Sequence, residues 1–430
     1  MGKKVLIVGG VAGGASVAAR VRRLDESAEI VMFERGPYVS FSNCCIPFHI
    51  SGDIEKSESL VLMTPPEFDK QYNIDARVYN EVVAINKEEK TVSVKNVQTG
   101  ESYEEAYDVL VLAPGANAVR PRSIAGIDSK HVFVMKTVPD VASLTAYAKA
   151  NEVKDVAVVG GGYIGLEVAE NLKYAGYNVS LIEAQDQVMA PMDYDMVQII
   201  NREIMKNGVE LILKDSVQAI GSDEVTLASG RTVNAQAVVM AIGVTPENAL
   251  AKQAGLDLGV AGSIKVNHHY QTSNPHIYAV GDAIETSCFF TGQKMQLTLA
   301  GPAQRQARAA ADHVYGRTYL NTGVIGSSSM KMFGLNTANT GLNEKQCQAR
   351  GIDYDFAYVI PKDKVSIMPD AENLFFKLIF AVPSGKILGA QAVGRGNVDK
   401  RIDVIATAIM LNANLEDLKE LELSYSPHFS

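Results

Sequence analysis

Two adjacent cysteines, Cys44 and Cys45, lie in the apolar stretch FSNCCIPFHI, which covers residues 41–50. Asn43 can cap a short helix that begins near Cys44, and Pro47 is tolerated close to a first helical turn. A thiolate at a helix N-terminus is stabilised by backbone N–H groups and by the helix dipole, and both effects lower its pKa. The pattern therefore predicts a reactive, redox-active thiol at Cys44.

Packing, a disulfide and a metal site are the other interpretations of this cysteine pair. A disulfide between adjacent residues would be strained, because disulfide geometry separates the two Cα atoms further than neighbouring residues allow. No cluster of histidines and cysteines accompanies the pair, so we expect no metal. Cys45, Cys288 and Cys347 suit the role of small buried hydrophobic residues. Without a Cys-x-x-Cys pair or a framework spacing, the cysteines favour a reducing, cytoplasmic setting.

A glycine-rich turn follows the first predicted strand, KVLIVGG at residues 4–10. The chain then passes through Gly9, Val11 and Gly14 into a helix, and the next strand ends at Glu34. This order of strand, glycine turn, helix, strand and acid is typical of a dinucleotide-binding unit, although Val11 stands in place of the middle glycine.

The same pattern recurs, with all three glycines, at residues 156–184. Gly160, Gly162 and Gly165 form the turn, and Glu183 ends the following strand. Such glycines let a pyrophosphate approach the backbone at a helix N-terminus, and the acid can bind a ribose hydroxyl. Two ordinary glycine-rich turns are the alternative. Two complete copies in one chain predict two dinucleotide cofactors that exchange electrons.

Three further segments complete the predicted architecture. Residues 107–116 and 237–248 are typical of buried strands that end in turns, and residues 276–285 place Asp282 directly after another strand. Asp282 can bind a sugar-alcohol hydroxyl or can cap a turn or helix. From about Thr322, alternating strands followed by two helices predict an antiparallel α+β unit.

We therefore predict an α/β protein with two Rossmann-like dinucleotide-binding domains and a C-terminal α+β dimerisation domain. The predicted bounds are residues 1–116 with 236–321 for the first domain, 117–235 for the second and 322–430 for the third. The length of 430 residues is sufficient for three domains.

Composition excludes several other classes of protein. Hydrophobic residues make up 47% and charged residues 21% of the chain, which is ordinary for a globular enzyme. A net charge of −9 without a basic run argues against nucleic acid as a partner. No apolar run is long enough to span a membrane, and the N-terminal MGKKVLIVGG leads directly into a strand, so we expect no membrane segment and no signal peptide.

The segments GGVAGGAS, SFSNC, GGGYIGLE, YAVGDA and DKRIDV together resemble the two-dinucleotide-binding flavoprotein disulfide reductases. The resemblance covers essentially the whole chain. It is greatest to the single-cysteine branch, which includes coenzyme A-disulfide reductase, NADH-dependent persulfide reductase, NADH oxidase and NADH peroxidase. It implies FAD at the first glycine turn, NAD(P)H at the second and a redox cysteine at Cys44.

The resemblance also implies which residues contact the cofactors. The implied FAD contacts are Gly9, Gly10, Val11, Ala12, Gly13, Gly14, Glu34, Arg35, Ser42, Asn43, Ala113, Gly115 and Asp282. The implied nicotinamide-nucleotide contacts are Gly160, Gly162, Tyr163, Ile164, Glu167, Glu183 and Gly243. Tyr163 resembles the aromatic residue that shields the flavin until the nicotinamide arrives, and a plain aromatic residue at a helix start is the alternative.

The first glycine turn distinguishes members of the branch. The NADH oxidases and peroxidases carry a histidine there, whereas this chain has Gly10, Val11 and Ala12. The GGVAGGAS form resembles the coenzyme A-disulfide and persulfide reductases, which implies coenzyme A contacts. The implied contacts are Arg20, Arg23, Ser40 and Asn43. Guanidinium groups suit the phosphates of coenzyme A, although a solvated helix face also accounts for RVRR.

The chain departs from the coenzyme A branch near its C-terminus. The tyrosines of a YYPG segment are replaced by Ile367 and Met368, whereas the tyrosine of an SYAPP segment is kept as Tyr425. This puts strict coenzyme A-disulfide reductase activity in doubt. The sequence stops at SPHFS, where relatives continue briefly or into a rhodanese domain, so a short form and a truncated sequence are both open.

The sequence thus predicts an FAD-dependent NADH:disulfide or persulfide oxidoreductase. An oxygen-reducing NADH oxidase and a redox-sensing flavoprotein with little turnover are the alternatives. Glu183, with no basic residue directly after it, favours NADH over NADPH. The resemblance further implies a homodimer in which Tyr425 lies near Cys44 of the partner subunit.

Overall fold

The computed structural model describes residues 2–318 and 320–429. Its first unit is built on a five-stranded parallel sheet. The strands, in spatial order, are Ile277–Ala279, Val109–Leu112, Lys4–Val8, Glu29–Glu34 and Asp75–Val78. Their residues are almost all buried, as expected for a parallel sheet covered on both faces. The helices Ala12–Leu24 and Ala300–Val314 pack against each other beside this sheet.

A second five-stranded parallel sheet carries the second glycine turn. Its strands, in spatial order, are Glu210–Leu213, Asn178–Glu183, Asp155–Val159, Ala237–Met240 and Val132–Val134. The strand Ala237–Met240 pairs with Asp155–Val159, so it belongs to this sheet. The predicted boundary at residues 235/236 was therefore placed too early. The helices of this unit are Val138–Ala150, Tyr163–Tyr174 and Tyr194–Lys206.

The C-terminal unit is an antiparallel sheet, as predicted from its alternating pattern. Its strands, in spatial order, are Ser328–Met332, Leu335–Gly341, Ile387–Gly394, Phe375–Ala381 and Tyr354–Val359. The central strand Ile387–Gly394 is buried along its whole length. The helices Glu344–Ala349, Val398–Met410 and Leu415–Lys419 accompany the sheet.

Smaller elements connect and decorate these three units. The short strands are Asn80–Asn86, Thr91–Asn96, Ser102–Ala106, Ala116–Ala118, Val217–Ile220, Glu224–Leu227, Thr232–Asn234, Val244–Pro246, Thr286–Ser287 and Lys294–Met295. The short α-helices are Phe48–Ser51, Pro65–Tyr72 and Ala249–Gln253, and the 3₁₀ turns are Asn43–Cys45, Ser57–Leu60, Val260–Gly262 and Gly281–Ala283. Within the described residues, no helix has the length and apolar character needed to cross a membrane.

Candidate functional site

The first glycine loop, residues 9–14, connects the strand Lys4–Val8 to the helix Ala12–Leu24. Gly9 has a φ of 99°, and a Cβ atom there would lie 2.1 Å from the carbonyl oxygen of Ala113. A Cβ atom at Gly14 would lie 1.8 Å from the carbonyl oxygen of Gly9. Both positions therefore require glycine: Gly9 because of its positive φ and the nearby end of the neighbouring strand, and Gly14 because strand and helix approach each other too closely for a side chain.

The second glycine loop, residues 160–165, has the same construction. Gly160 has a φ of 109°, and a Cβ atom at Gly165 would lie 1.9 Å from the carbonyl oxygen of Gly160. A Cβ atom at the middle glycine, Gly162, would meet no heavy atom within 4 Å. Packing within the protein therefore does not require glycine at the middle position of the loop. The presence of Val11 at the same position of the first loop is compatible with this. The open space in front of the helix N-terminus suits a phosphate.

An acidic residue braces each glycine loop in the same way. The Glu34 Oε2 atom accepts a hydrogen bond from the Gly10 N–H at 3.0 Å. The Glu183 Oε2 atom accepts one from the Gly161 N–H at 2.7 Å. The structure thus brings each predicted acid to its predicted loop, at the carboxyl edge of each parallel sheet, where dinucleotides bind in this class of fold.

A cavity of about 410 Å³ opens beside the first glycine loop. Its lining includes Gly9, Glu34, Arg35 and Pro114. The Arg35 guanidinium is half exposed and lies 3.5 Å from a carboxylate oxygen of Glu247. A concave space beside the loop, with the Glu34 carboxylate in its wall, fits the adenosine half of a dinucleotide.

The remaining predicted positions of the two loops lie at the same sheet edges. Ala12 and Gly13 open the helix Ala12–Leu24, and Gly115, two residues after Ala113, has a φ of 75°. In the second unit, Ile164 follows Tyr163 in the first turn of its helix and is exposed, and Gly243 lies shortly after the strand Ala237–Met240. Both sets of residues are therefore grouped as the sequence predicts.

The segment that carries Cys44 packs directly against the first glycine loop. The Ser40 N–H donates a hydrogen bond to the Gly10 carbonyl at 2.7 Å, and Ser42 follows at the start of the turn that contains Cys44. Cys44 is exposed, whereas Cys45 is half-buried against the core of the second unit. The two neighbouring thiols therefore face different environments.

The predicted helix cap at Asn43 is wrong. Asn43 is the first residue of a 3₁₀ turn, and its side-chain amide points to the carbonyl oxygen of Lys136 at 3.4 Å. Ser42 occupies the cap position without a side-chain capping bond, and the α-helix begins only at Phe48. Cys44 therefore precedes the α-helix by four residues, about one turn, and does not lie at its N-terminus.

The prediction that the Cys44 pKa is lowered is also wrong. Desolvation by the surrounding protein raises the pKa of the Cys44 thiol, and the charges of Glu167, Cys45 and Asp282 raise it further. Negative charge destabilises a thiolate, whereas the amides of a complete helix would have stabilised it. The acids that face Cys44 come from distant parts of the chain, so the local motif gave no sign of them.

Glu167 lies one turn after Tyr163 in the helix Tyr163–Tyr174. Its carboxylate has no hydrogen bond or ion pair among residues 2–318 and 320–429. Burial, and secondarily the charge of Glu170, raise the pKa of Glu167 to about 7. Near neutral pH this carboxyl exchanges a proton, and its charge acts on Cys44.

Replacement of Glu167 by Gln should make Cys44 more reactive. Loss of the negative charge lowers the pKa of the thiol, so iodoacetamide should label Cys44 faster at pH 8, by roughly three- to tenfold. The difference should disappear below about pH 6, where Glu167 is protonated. The rate of labelling at Cys44 can be followed by peptide mass spectrometry. The exposed Glu416→Gln is the matched control, and identical pH profiles for all three proteins would exclude this coupling.

Asp282 lies in the 3₁₀ turn that follows the strand Ile277–Ala279. Its Oδ2 atom lies 3.5 Å from the Lys136 Nζ atom. The backbone carbonyl of Lys136 is the oxygen that the Asn43 amide points to. Lys136 therefore connects the cysteine segment to the turn that carries Asp282. Lys136 lies outside both glycine motifs and is 146 residues distant from Asp282 in the chain, so no sequence pattern predicts its place in the site.

The residues implied for coenzyme A differ in whether they are free to contact a ligand. The guanidinium of Arg20 binds the Asp312 carboxylate through two nitrogens, at 2.6 and 2.8 Å, whereas Arg23 is exposed. Tyr425 lies in the segment after the last helix and is 69% exposed. Arg20 therefore already has an anionic partner within the fold, and Arg23 is the arginine that is available to a ligand.

Residues 3–307 match the family model described as pyridine nucleotide-disulphide oxidoreductase. Residues 327–430 match the model of the dimerisation domain of the same family. The chain therefore belongs to the pyridine nucleotide-disulphide oxidoreductase family, which confirms the family predicted from its motifs. Membership implies FAD and a nicotinamide nucleotide as cofactors.

Known proteins resemble this chain over almost its whole length. A coenzyme A disulfide reductase from Staphylococcus epidermidis is 35% identical over 99% of this chain and 96% of its own. The reduced CoADR-RHD structure from Bacillus anthracis is 48% identical, with a TM-score of 0.98, over 100% of this chain and 78% of that one. A NAD-dependent persulfide reductase from A. fulgidus is 32% identical, with a TM-score of 0.96, over 99% of this chain and 80% of that one.

Proposed function

We propose that the protein uses NADH and FAD to reduce a small disulfide or persulfide through Cys44. The observation that carries this proposal is the position of an exposed thiol against the first of two braced glycine loops. The half-buried Cys45 leaves Cys44 as the thiol that a substrate can reach. The relatives named as coenzyme A disulfide reductase and persulfide reductase support the same class of substrate.

The cofactors would occupy the two loops separately. Gly9, Gly14, Glu34 and Asp282 would hold FAD, whose bound flavin supplies a two-electron relay between nicotinamide and thiol. Gly160, Gly162 and Glu183 would hold the nicotinamide nucleotide in the second loop through contacts equivalent to those of the first. The open space before Gly162 and the cavity beside Gly9 both fit such ligands.

Cys44 would act as the nucleophile. Its thiolate attacks one sulfur of the substrate disulfide, forms a mixed disulfide and releases the other sulfur as a thiolate. Two electrons from NADH reduce the new bond, which restores the Cys44 thiolate and releases the second thiolate. With one proton taken up, NADH and one disulfide thus yield NAD⁺ and two thiols.

A substrate panel tests the proposed reaction. The flavin-loaded protein should consume NADH with coenzyme A disulfide, coenzyme A persulfide or polysulfide, and should consume little with oxygen alone. The exposed Arg23, with Ser40 and Asn43 beside the cysteine, would contact coenzyme A. Ile367 is 85% exposed and its side chain offers no hydroxyl to a bound substrate, so the panel sets the persulfides beside the disulfide. Rapid consumption with oxygen as the only acceptor would instead identify an NADH oxidase.

NADH should be preferred to NADPH. Glu183 ends its strand beside the second glycine loop, and its carboxylate would accept a bond from the ribose diol and repel a 2′-phosphate. We expect kcat/KM to be at least about tenfold higher with NADH, the ratio given by about 1.4 kcal/mol of discrimination. Steady-state kinetics with both nucleotides measure this ratio, and equal or reversed values would refute the role of Glu183.

The C-terminal unit should join two subunits. Its outer strand Tyr354–Val359 and the segment after residue 419 expose apolar side chains, among them Phe356, Leu423 and Tyr425. We expect a dimer by light scattering, with the partner subunit's Tyr425 near Cys44. Tyr425→Phe should then lower kcat by roughly tenfold without dissociating the dimer. A fully active monomer would contradict this arrangement.

A further inference from the structure

Three side chains from two units form a closed triangle at the start of the second glycine-loop helix. The Tyr163 hydroxyl donates to the Asn339 Oδ1 atom at 2.9 Å. The Ser328 hydroxyl donates to the same oxygen at 3.0 Å, and the two hydroxyls are also in hydrogen-bond contact with each other. Tyr163 is the first residue of its helix, whereas the other two residues belong to the C-terminal sheet.

The sheet itself places Ser328 and Asn339 together. They are directly opposite each other in the antiparallel pairing of Ser328–Met332 with Leu335–Gly341. Opposite residues on neighbouring strands have their Cβ atoms about 5 Å apart, so the pair forms a rigid platform. Asn339 is buried, with 4% of its surface exposed, which makes an unpaired carboxamide there costly.

The hydroxyl protons of Tyr163 and Ser328 explain why the triangle fixes the Tyr163 ring. Two hydroxyl protons serve three contacts, and the Asn339 Oδ1 atom can accept both of them. If either hydroxyl turns towards the other, its hydrogen bond to the Asn339 oxygen is replaced by a hydrogen bond between the two hydroxyls. The Tyr163 hydroxyl therefore keeps a partner in each arrangement, and the ring is fixed at both ends, by its backbone and by its hydroxyl.

We propose that Ser328 and Asn339 are positioning residues that hold the Tyr163 ring in the place where it would shield a bound flavin, so that an entering nicotinamide would have to break their hydrogen bonds to displace the ring. This inference rests on the proposed function and on the shielding role that the family resemblance implies for Tyr163. It makes the C-terminal unit part of the nicotinamide gate. The bonds to the sheet oppose ring movement, so part of the nucleotide binding energy is spent on breaking them.

Removal of the platform should therefore tighten nucleotide binding. Ser328→Ala and Tyr163→Phe should each lower KM for NADH by roughly three- to tenfold, the range that one hydrogen bond gives. The dissociation constant for NAD⁺, measured on the flavin-loaded protein by calorimetry, should fall by a similar factor. The double variant should show no more than the effect of Tyr163→Phe alone, because that change already removes both contacts of the ring with the sheet.

Two matched variants control this experiment. Ser329→Ala changes the exposed neighbouring serine and should leave both constants unchanged. Ser328→Thr keeps the hydroxyl and should restore wild-type binding. An unchanged dissociation constant in Ser328→Ala, or fully additive effects in the double variant, would overturn the proposal.

The binding measurement also separates this proposal from the proposed function. If the protein reduces no disulfide or persulfide but Ser328→Ala still tightens NAD⁺ binding, the reaction assigned above is wrong and the positioning role stands. If turnover is as proposed but NAD⁺ binding does not respond to Ser328, the positioning role is wrong and the reaction stands.

Discussion

Cys44→Ser is expected to abolish reduction of the disulfide or persulfide, with a fall in kcat of at least about a thousandfold. A serine hydroxyl cannot form the mixed disulfide, and no other exposed thiol lies in this segment. The variant should still bind FAD and NAD⁺ normally, because neither glycine loop is changed. NADH consumption with the substrate panel measures the loss, and the flavin content together with NAD⁺ calorimetry checks the binding.

Cys45→Ala is the matched control for this experiment. The half-buried Cys45 packs with apolar residues, so its loss should change stability only modestly and should leave most of the turnover intact. Mass spectrometry after incubation with the disulfide should find the substrate thiol on residue 44 in this variant. Loss of turnover in a folded Cys45→Ala protein would show that the second thiol takes part and would refute the single-cysteine mechanism.

The two dinucleotide units could be predicted because their determinants are local. A positive φ at Gly9 and the close helix approach at Gly14 each require glycine, and the acid Glu34 follows one strand later. All these determinants lie within a single strand–helix–strand unit, so spacing alone reveals them. The strand Ala237–Met240 shows the limit of this reasoning, since a buried strand can join either sheet and only its pairing with Asp155–Val159 decides which.

The electrostatics of the cysteine could not be predicted from its motif. FSNCC suggested a capped helix, but the backbone makes a 3₁₀ turn first, and Asn43 turns its amide to Lys136. The negative charges that act on Cys44 come from Glu167 and Asp282, more than a hundred residues further along the chain. Long-range packing brings them together, and no local pattern records it.

A buried lysine fastens the C-terminal sheet to the second unit. The Lys377 side chain is 0% exposed, and its Nζ atom lies 3.2 Å from Asp193 and 2.9 Å from Asp195. It also binds Glu344 and faces the ring of Phe356 at 4.4 Å. Burial alone would lower the pKa of Lys377, but the hydrogen bonds that its ammonium group donates to Glu344 and Asp195, and the charge of Asp193, raise it overall. The three carboxylates are close enough to hold a cation, and the ammonium group supplies one.

Lys377→Met should therefore destabilise the protein strongly, by about 3–5 kcal/mol, because it leaves the buried Asp193 carboxylate, with the more exposed Asp195 and Glu344 beside it, without a counter-charge. The melting temperature should fall by roughly 10 °C, which scanning calorimetry measures. Lys419→Met, which removes a lysine from an exposed ion pair, is the control and should have almost no effect.

The pH dependence of the stability of Lys377→Met identifies which carboxylate has lost its counter-charge. Asp193 is only 4% exposed, and burial already raises the pKa of its carboxyl above the ordinary value. Without Lys377 that pKa should rise further, so the folded variant binds a proton that the unfolded chain lacks. Its stability then increases as the pH falls from 8 to 5, and the deficit relative to the wild type narrows. Asp193→Asn in the Lys377→Met background should recover part of the loss at pH 8. If the deficit is the same at both pH values, Asp193 is not the group that the lysine neutralises.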